Sequence, residues 1–135
     1  MSIRVLLVDD EEHFASVLSE RLNARNLNVT TALSGHAALS LLDKMEMDVV
    51  VLDVCMPGLS GIEVLRCIKE RSPGMEVILL SAKESIKDAM QGMRFGAFDY
   101  LTKPLPVDSL DRRIHEAALE PFKRGRNEGW AIQQP

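Results

Sequence analysis

Five times along the chain, a short apolar run is followed by a longer segment whose apolar residues recur at helical spacing. The runs fall at 3–8, 28–32, 48–53, 76–80 and 97–101. The helical period between and after them buries Phe14, Val17, Leu18 and Leu22, then Ala38, Leu41, Leu42 and Met45, then Ile62, Leu65 and Ile68. The fourth such segment carries Ile86, Ala89, Met90 and Met93, read as core, and the last carries Leu110, Ile114, Ala117 and Ala118. Ser34 is placed to cap the second helix and Gly96 to end the fourth. Strands that alternate with helices must lie parallel, because each crossover helix returns the chain to the same end of the sheet. Helices then cover both faces. The chain is therefore expected to be α/β, a doubly wound five-stranded parallel sheet.

The polarity of the runs sets their order. Those at 3–8, 49–52 and 77–80 are almost wholly apolar, as strands buried on both faces must be. Those at 28–32 and 97–101 mix in polar residues, as edge strands do, which predicts the order 2-1-3-4-5. Such a sheet binds ligands at the carboxyl ends of its strands, in the crevice beside the first strand.

With 135 residues, 46% of them hydrophobic and 27% charged, the composition fits one soluble domain. We place it at residues 1–121, with 122–135 a tail or the start of a linker, because the apolar period ends there. A net charge of −4 argues against direct nucleic-acid binding, which needs a basic footprint. Neither a signal sequence nor a membrane-spanning run is evident, and Cys55 and Cys67 lack metal-ligand spacing. A cytoplasmic protein with free thiols and no membrane partner is expected. His13, His36 and His115 are read as surface residues, and Cys67 as a small core or boundary residue.

The strand ends carry the chemistry. The first run stops at Asp9-Asp10-Glu11-Glu12 and the third at Asp53. Glu11 and Glu12 are read as complements to a helix dipole. Asp9, Asp10 and Asp53, brought together in the crevice, repel one another unless a cation intervenes, and an all-oxygen donor set suits Mg²⁺. Ser81 and Lys103 end the fourth and fifth runs, where an ammonium and a hydroxyl can meet carboxylate or phosphoryl oxygens. Pro104 is a candidate for a cis bond that aims Lys103.

LLVDDE at 6–11, VVLDVCMPGLSG at 50–61, LLSA at 79–82 and GAFDYLTKP at 96–104 occur in order, each at a strand end. Over residues 3–120 the chain resembles the receiver domain of two-component response regulators, a flavodoxin-like (βα)5 fold. The resemblance implies that Asp53 is the phosphoacceptor and attacks the phosphohistidine of a sensor histidine kinase or phosphotransfer protein. It further implies Mg²⁺ ligated by Asp10, Asp53 and the backbone carbonyl of Cys55, and by Asp9 through water. Ser81 and Lys103 would hold the phosphoryl group, and Ser81 and Tyr100 would act as the switch. The face of the fourth helix, fifth strand and fifth helix would carry the signal, with homodimerisation there on phosphorylation. Such a domain is a phosphotransfer switch and not a turnover enzyme.

Two other classes fit less well. A phosphohydrolase of the haloacid-dehalogenase type needs a second Asp two residues after the nucleophile, where Cys55 stands. A flavodoxin-like cofactor carrier needs a phosphate loop after the first strand, and Asp9-Asp10-Glu11-Glu12 would repel a phosphate.

Overall fold

The computed structural model describes residues 2–82 and 85–132, with side chains through residue 119. Strands β1 (Arg4–Val8), β2 (Asn28–Ala32), β3 (Val49–Asp53), β4 (Glu76–Ser81) and β5 (Asp99–Thr102) alternate with helices. The helices are α1 (Glu12–Asn23), α2 (Gly35–Lys44), α3 (Gly61–Arg71), α4 (Ile86–Arg94) and α5 (Val107–Ile132). The strands pair in parallel in the order β2-β1-β3-β4-β5, with the two more polar strands at the edges as expected.

Side chains alternate across a strand, and each inner strand feeds both layers of the core. Val5, Leu7, Val49, Val51, Ile78 and Leu80 pack under α1 and α5, against Leu18, Leu22, Leu110 and Ile114. Leu6, Val8, Val50, Leu52, Val77 and Leu79 face the other way, against Ala38, Leu39, Val64, Leu65 and Ile68 of α2 and α3. Among the described residues the buried polar groups sit at the strand ends: Glu76 at the start of β4, and Asp9, Asp53 and Ser81 at the carboxyl ends.

Local signals fix the helix starts. Ser34 accepts a hydrogen bond from the Ala37 amide at 3.1 Å. Ser60 and Glu63 form a reciprocal capping box at the start of α3, so the chain leaving Asp53 is locked into helix within one short loop. Gly61 makes that return tight: a Cβ there would lie 2.2 Å from the Asp53 carbonyl oxygen. Gly96 follows the end of α4 with φ +97° and donates to the Met93 carbonyl.

The structure corrects two readings. Met90 and Met93 are not core: they are 60% and 50% exposed, and Ile86 is 81% exposed. Helical spacing shows that α4 has an apolar stripe but not which way it points. The sheet-facing side is set by Gly92, where a Cβ would stand 2.4 Å from Leu79, so only the bare backbone packs closely and the stripe faces outward. Met45 likewise is exposed at the end of α2, while Leu39 takes the buried position. α5 runs on as helix through Ile132, past the residue where the apolar period ends, since intrahelical hydrogen bonds need no apolar stripe. The remainder of the expected tail, 133–135, lies outside the described residues. His13, His36 and His115 are exposed and Cys67 is half-buried, as expected. No helix among the described residues is long and apolar enough to cross a membrane.

Because the backbone of Asp53 offers no room for a methyl group at residue 61, Gly61→Ala should lower stability by about 1–3 kcal/mol. Urea denaturation measures this, and an unchanged midpoint would show that the β3–α3 turn yields freely.

Candidate functional site at the carboxyl edge of the sheet

Strand register assembles the site. Val8 pairs with Leu52, so the next residues along, Asp9 and Asp53, come side by side. The pleat that sends Val49 and Val51 toward α1 and α5 sends Asp53 the same way. Asp53 in turn pairs with Leu80, and Ser81 with Thr102, which puts Ser81 and Lys103 one step beyond. Carboxylate oxygens of Asp9, Asp10 and Asp53 all lie within 4.8 Å of one another. Asp9 and Asp53 are buried, whereas Asp10 is exposed.

Lys103 answers this charge. Its Nζ donates to Asp9 Oδ2 at 2.8 Å and lies 3.6 Å from Asp53 Oδ1, an ion-pair distance without a hydrogen bond. The Lys103–Pro104 peptide is cis, as anticipated from the sequence. The other Asp9 oxygen accepts from the Glu11 amide at 2.9 Å. Lys103 is held above its usual range: burial pulls it down, but the Asp9 hydrogen bond and the charges of Asp53, Asp9 and Glu11 outweigh that. For Asp53 the balance goes against the charge. Burial and then the charge of Asp9 push its carboxyl up to about 6, with Lys103 opposing, Asp10 adding, and a hydrogen bond from the Cys55 amide opposing.

Ser81 is fully buried at the end of β4, and its carbonyl accepts from the Lys103 amide at 2.7 Å. Tyr100 is half-buried on β5, in register with Leu79, and packs on the α2–α3 layer. Cys55 is exposed in the loop after β3. Asp9, Asp10, Asp53 and Lys103 thus converge, with Ser81 beside them, while Tyr100 sits apart on the neighbouring strand. The sequence reading missed Phe14 as a member of this group: the Lys103 ammonium stands 4.2 Å over its ring centroid. Nothing in the sequence separates it from the other apolar residues of α1.

Three carboxylates against one ammonium leave the crevice short of positive charge, and a compact set of oxygen donors at that distance fits a hard divalent cation such as Mg²⁺.

The strain on Asp53 makes stability depend on pH. Its carboxyl titrates near 6 in the fold and near the ordinary aspartate value, about 4, in the unfolded chain. As pH falls from 6 toward 4 the native state binds the extra proton and gains stability. Above 6 the buried charge costs about 1–3 kcal/mol, allowing for solvent screening. In EDTA, Asp53→Asn should therefore be more stable than wild type by that amount at pH 8 and by little at pH 4.5. A stability difference that does not vary with pH would mean that Asp53 carries no such strain.

The chain is similar to known proteins in sequence and in fold. Residues 5–115 match the model of the response regulator receiver domain. The probable transcriptional regulatory protein TcrX of Mycobacterium tuberculosis is 38% identical over 112 residues, 83% of this chain and 48% of TcrX. The chain thus spans about half the length of this curated relative. A response regulator receiver domain from Clostridium thermocellum superposes with a TM-score of 0.84 at 33% identity, covering 87% of this chain and 95% of that one. The response regulator TrrA of Thermotoga maritima, solved in complex with Mg²⁺–BeF, superposes with a TM-score of 0.78 at 30% identity, covering 85% and 98%. Sheet order, the acidic crevice and these likenesses agree: the chain belongs to the response regulator receiver domain family.

Proposed function

We propose that this domain takes a phosphoryl group onto Asp53 from a sensor histidine kinase or phosphotransfer protein, in a Mg²⁺-dependent reaction. The observation that carries this reading is one buried carboxylate at a strand end, flanked by two further carboxylates and a lysine. A carboxylate oxygen of Asp53 forms the new O–P bond as the N–P bond of the phosphohistidine breaks, returning the electron pair to the imidazole. Little covalent help is needed beyond in-line approach and compensation of charge on the equatorial oxygens. Lys103 supplies part of that compensation, moving no further than the gap it already spans to Asp53. The Ser81 hydroxyl donates to a phosphoryl oxygen. Asp10, Asp53 and the Cys55 carbonyl would hold Mg²⁺ directly and Asp9 through water. The ion supplies the remaining positive charge. That TrrA was solved with Mg²⁺–BeF supports this assignment.

In this reading, Ser81 drawn toward the phosphoryl group leaves space for Tyr100, which couples the site to α4, β5 and α5. The outward stripe of Ile86, Met90 and Met93 supports that face as the output surface, including for a phosphorylation-dependent homodimer. The protein acts as a cytoplasmic switch and not as a turnover enzyme. With a net charge of −4, we assign this segment to receiving the signal and not to contacting nucleic acid.

Phosphoramidate with Mg²⁺ should add one phosphoryl group by intact-mass measurement, abolished by EDTA and by Asp53→Ala. Undiminished labelling of Asp53→Ala would overturn the assignment. Beryllofluoride should shift backbone amide resonances across 85–110 as well as those around Asp53, and Ser81→Ala should shrink the distant shifts while sparing metal binding. Shifts confined to the neighbours of Asp53 would leave an acceptor without a switch.

A further inference from the structure

We infer that Phe14 is a positioning residue for phosphotransfer, its ring face serving as the third partner of the Lys103 ammonium. The inference rests on the phosphoacceptor reading of Asp53. An ammonium has three N–H donors. Here Asp9 takes one at 2.8 Å, and Asp53 lies 3.6 Å away in the direction where a phosphoryl oxygen would arrive. The Phe14 ring, with its centroid 4.2 Å from Nζ, faces the same ammonium. The negative face of an aromatic ring attracts a cation, more strongly where water is excluded. Only 11% of the Lys103 side chain is exposed, so this contact is largely dry.

The surroundings show why the ring is needed. Phe14 and Lys103 line a mainly apolar groove of about 210 Å³ between α1 and the start of α5, bounded also by Val17, Arg21, Pro104, Leu105 and Leu110. Besides Lys103 itself, the groove is lined by aliphatic residues and by Arg21, a second cation that can only repel the ammonium, so the ring alone offers it electrostatic attraction. Shorten Phe14 to an aliphatic residue and the groove opens onto the ammonium, where water weakens its pull on the phosphoryl oxygens. The lysine, with several rotatable bonds, also gains freedom to leave the crevice. Phe14 therefore acts through Lys103 without touching the reacting atoms, by keeping the charge dry and pointed at Asp53.

Phenylalanine analogues bearing one, two and three ring fluorines keep the ring's shape and progressively cancel its negative face. Incorporated at residue 14, they should slow phosphoramidate labelling of Asp53 stepwise, by about three- to tenfold at the trifluoro analogue. Phe14→Tyr should keep the rate, and Phe14→Leu should lose as much as the trifluoro analogue. A second readout does not depend on labelling: in the wild type the side-chain methylene protons of Lys103 should show an upfield ring-current shift, absent in Phe14→Leu. Rates that stay flat or rise across the fluorine series, or a Lys103 without the ring-current shift, would overturn the inference. A wild type that takes no label under the same conditions would instead overturn the phosphoacceptor reading, and with it the reaction that Phe14 serves.

Discussion

The Lys103 ammonium is shared between Asp9 and Asp53 in a crevice where three carboxylates meet, and it is the one cation paired with them among the described residues. It satisfies Asp9 with a hydrogen bond and leaves Asp53 with only a longer electrostatic contact. Burial and the neighbouring acids then win, and the Asp53 carboxyl rises to about 6. A site in this condition favours whatever brings positive charge or removes negative charge. A divalent cation does the first and protonation the second. The under-compensated edge is thus the part of the fold that ligands can move.

The opposite edge of the sheet shows the contrast. There Arg4 pairs with Asp48 through two hydrogen bonds from its guanidinium, at 3.1 and 3.0 Å, and the buried Glu76 meets Lys69 at 3.4 Å. Lys69 also donates to the Met75 carbonyl at 2.6 Å, tying the end of α3 to the start of β4. Charges at that edge are matched within the protein, and they hold strands in place. Those at the carboxyl edge are mismatched, and the mismatch is borne by a rigid mount: β3 buried on both faces, and a turn at Gly61 too tight for a methyl group. An exposed loop carrying the same acids would move apart to relieve the repulsion; β3 cannot.

Much of this was legible in the chain. The polar residues of 28–32 and 97–101 marked the edge strands, because an edge strand has one flank in water. Ser34 marked a helix start, and the acids after Val8 and at Asp53 marked the crevice, because a parallel sheet gathers its strand ends on one side. The direction of the α4 stripe was not legible. Periodicity fixes a helix's apolar face relative to its own axis, and only the contact of Gly92 with Leu79 fixes that axis against the sheet.

The sequence by itself determined the alternation of strand and helix, the order of the strands and the residues standing at their carboxyl ends, since these follow from local period and polarity. The tertiary structure alone decided which charges touch. Asp9 and Lys103 are 94 residues apart in the chain, yet their hydrogen bond sets how much compensation is left for Asp53. The Phe14 ring under the same ammonium is likewise a contact between α1 and the end of β5. Electrostatic and packing energies depend on distance through space and on the exclusion of water. Neither is encoded in spacing along the chain, and both are settled only when the sheet register and helix placement are complete.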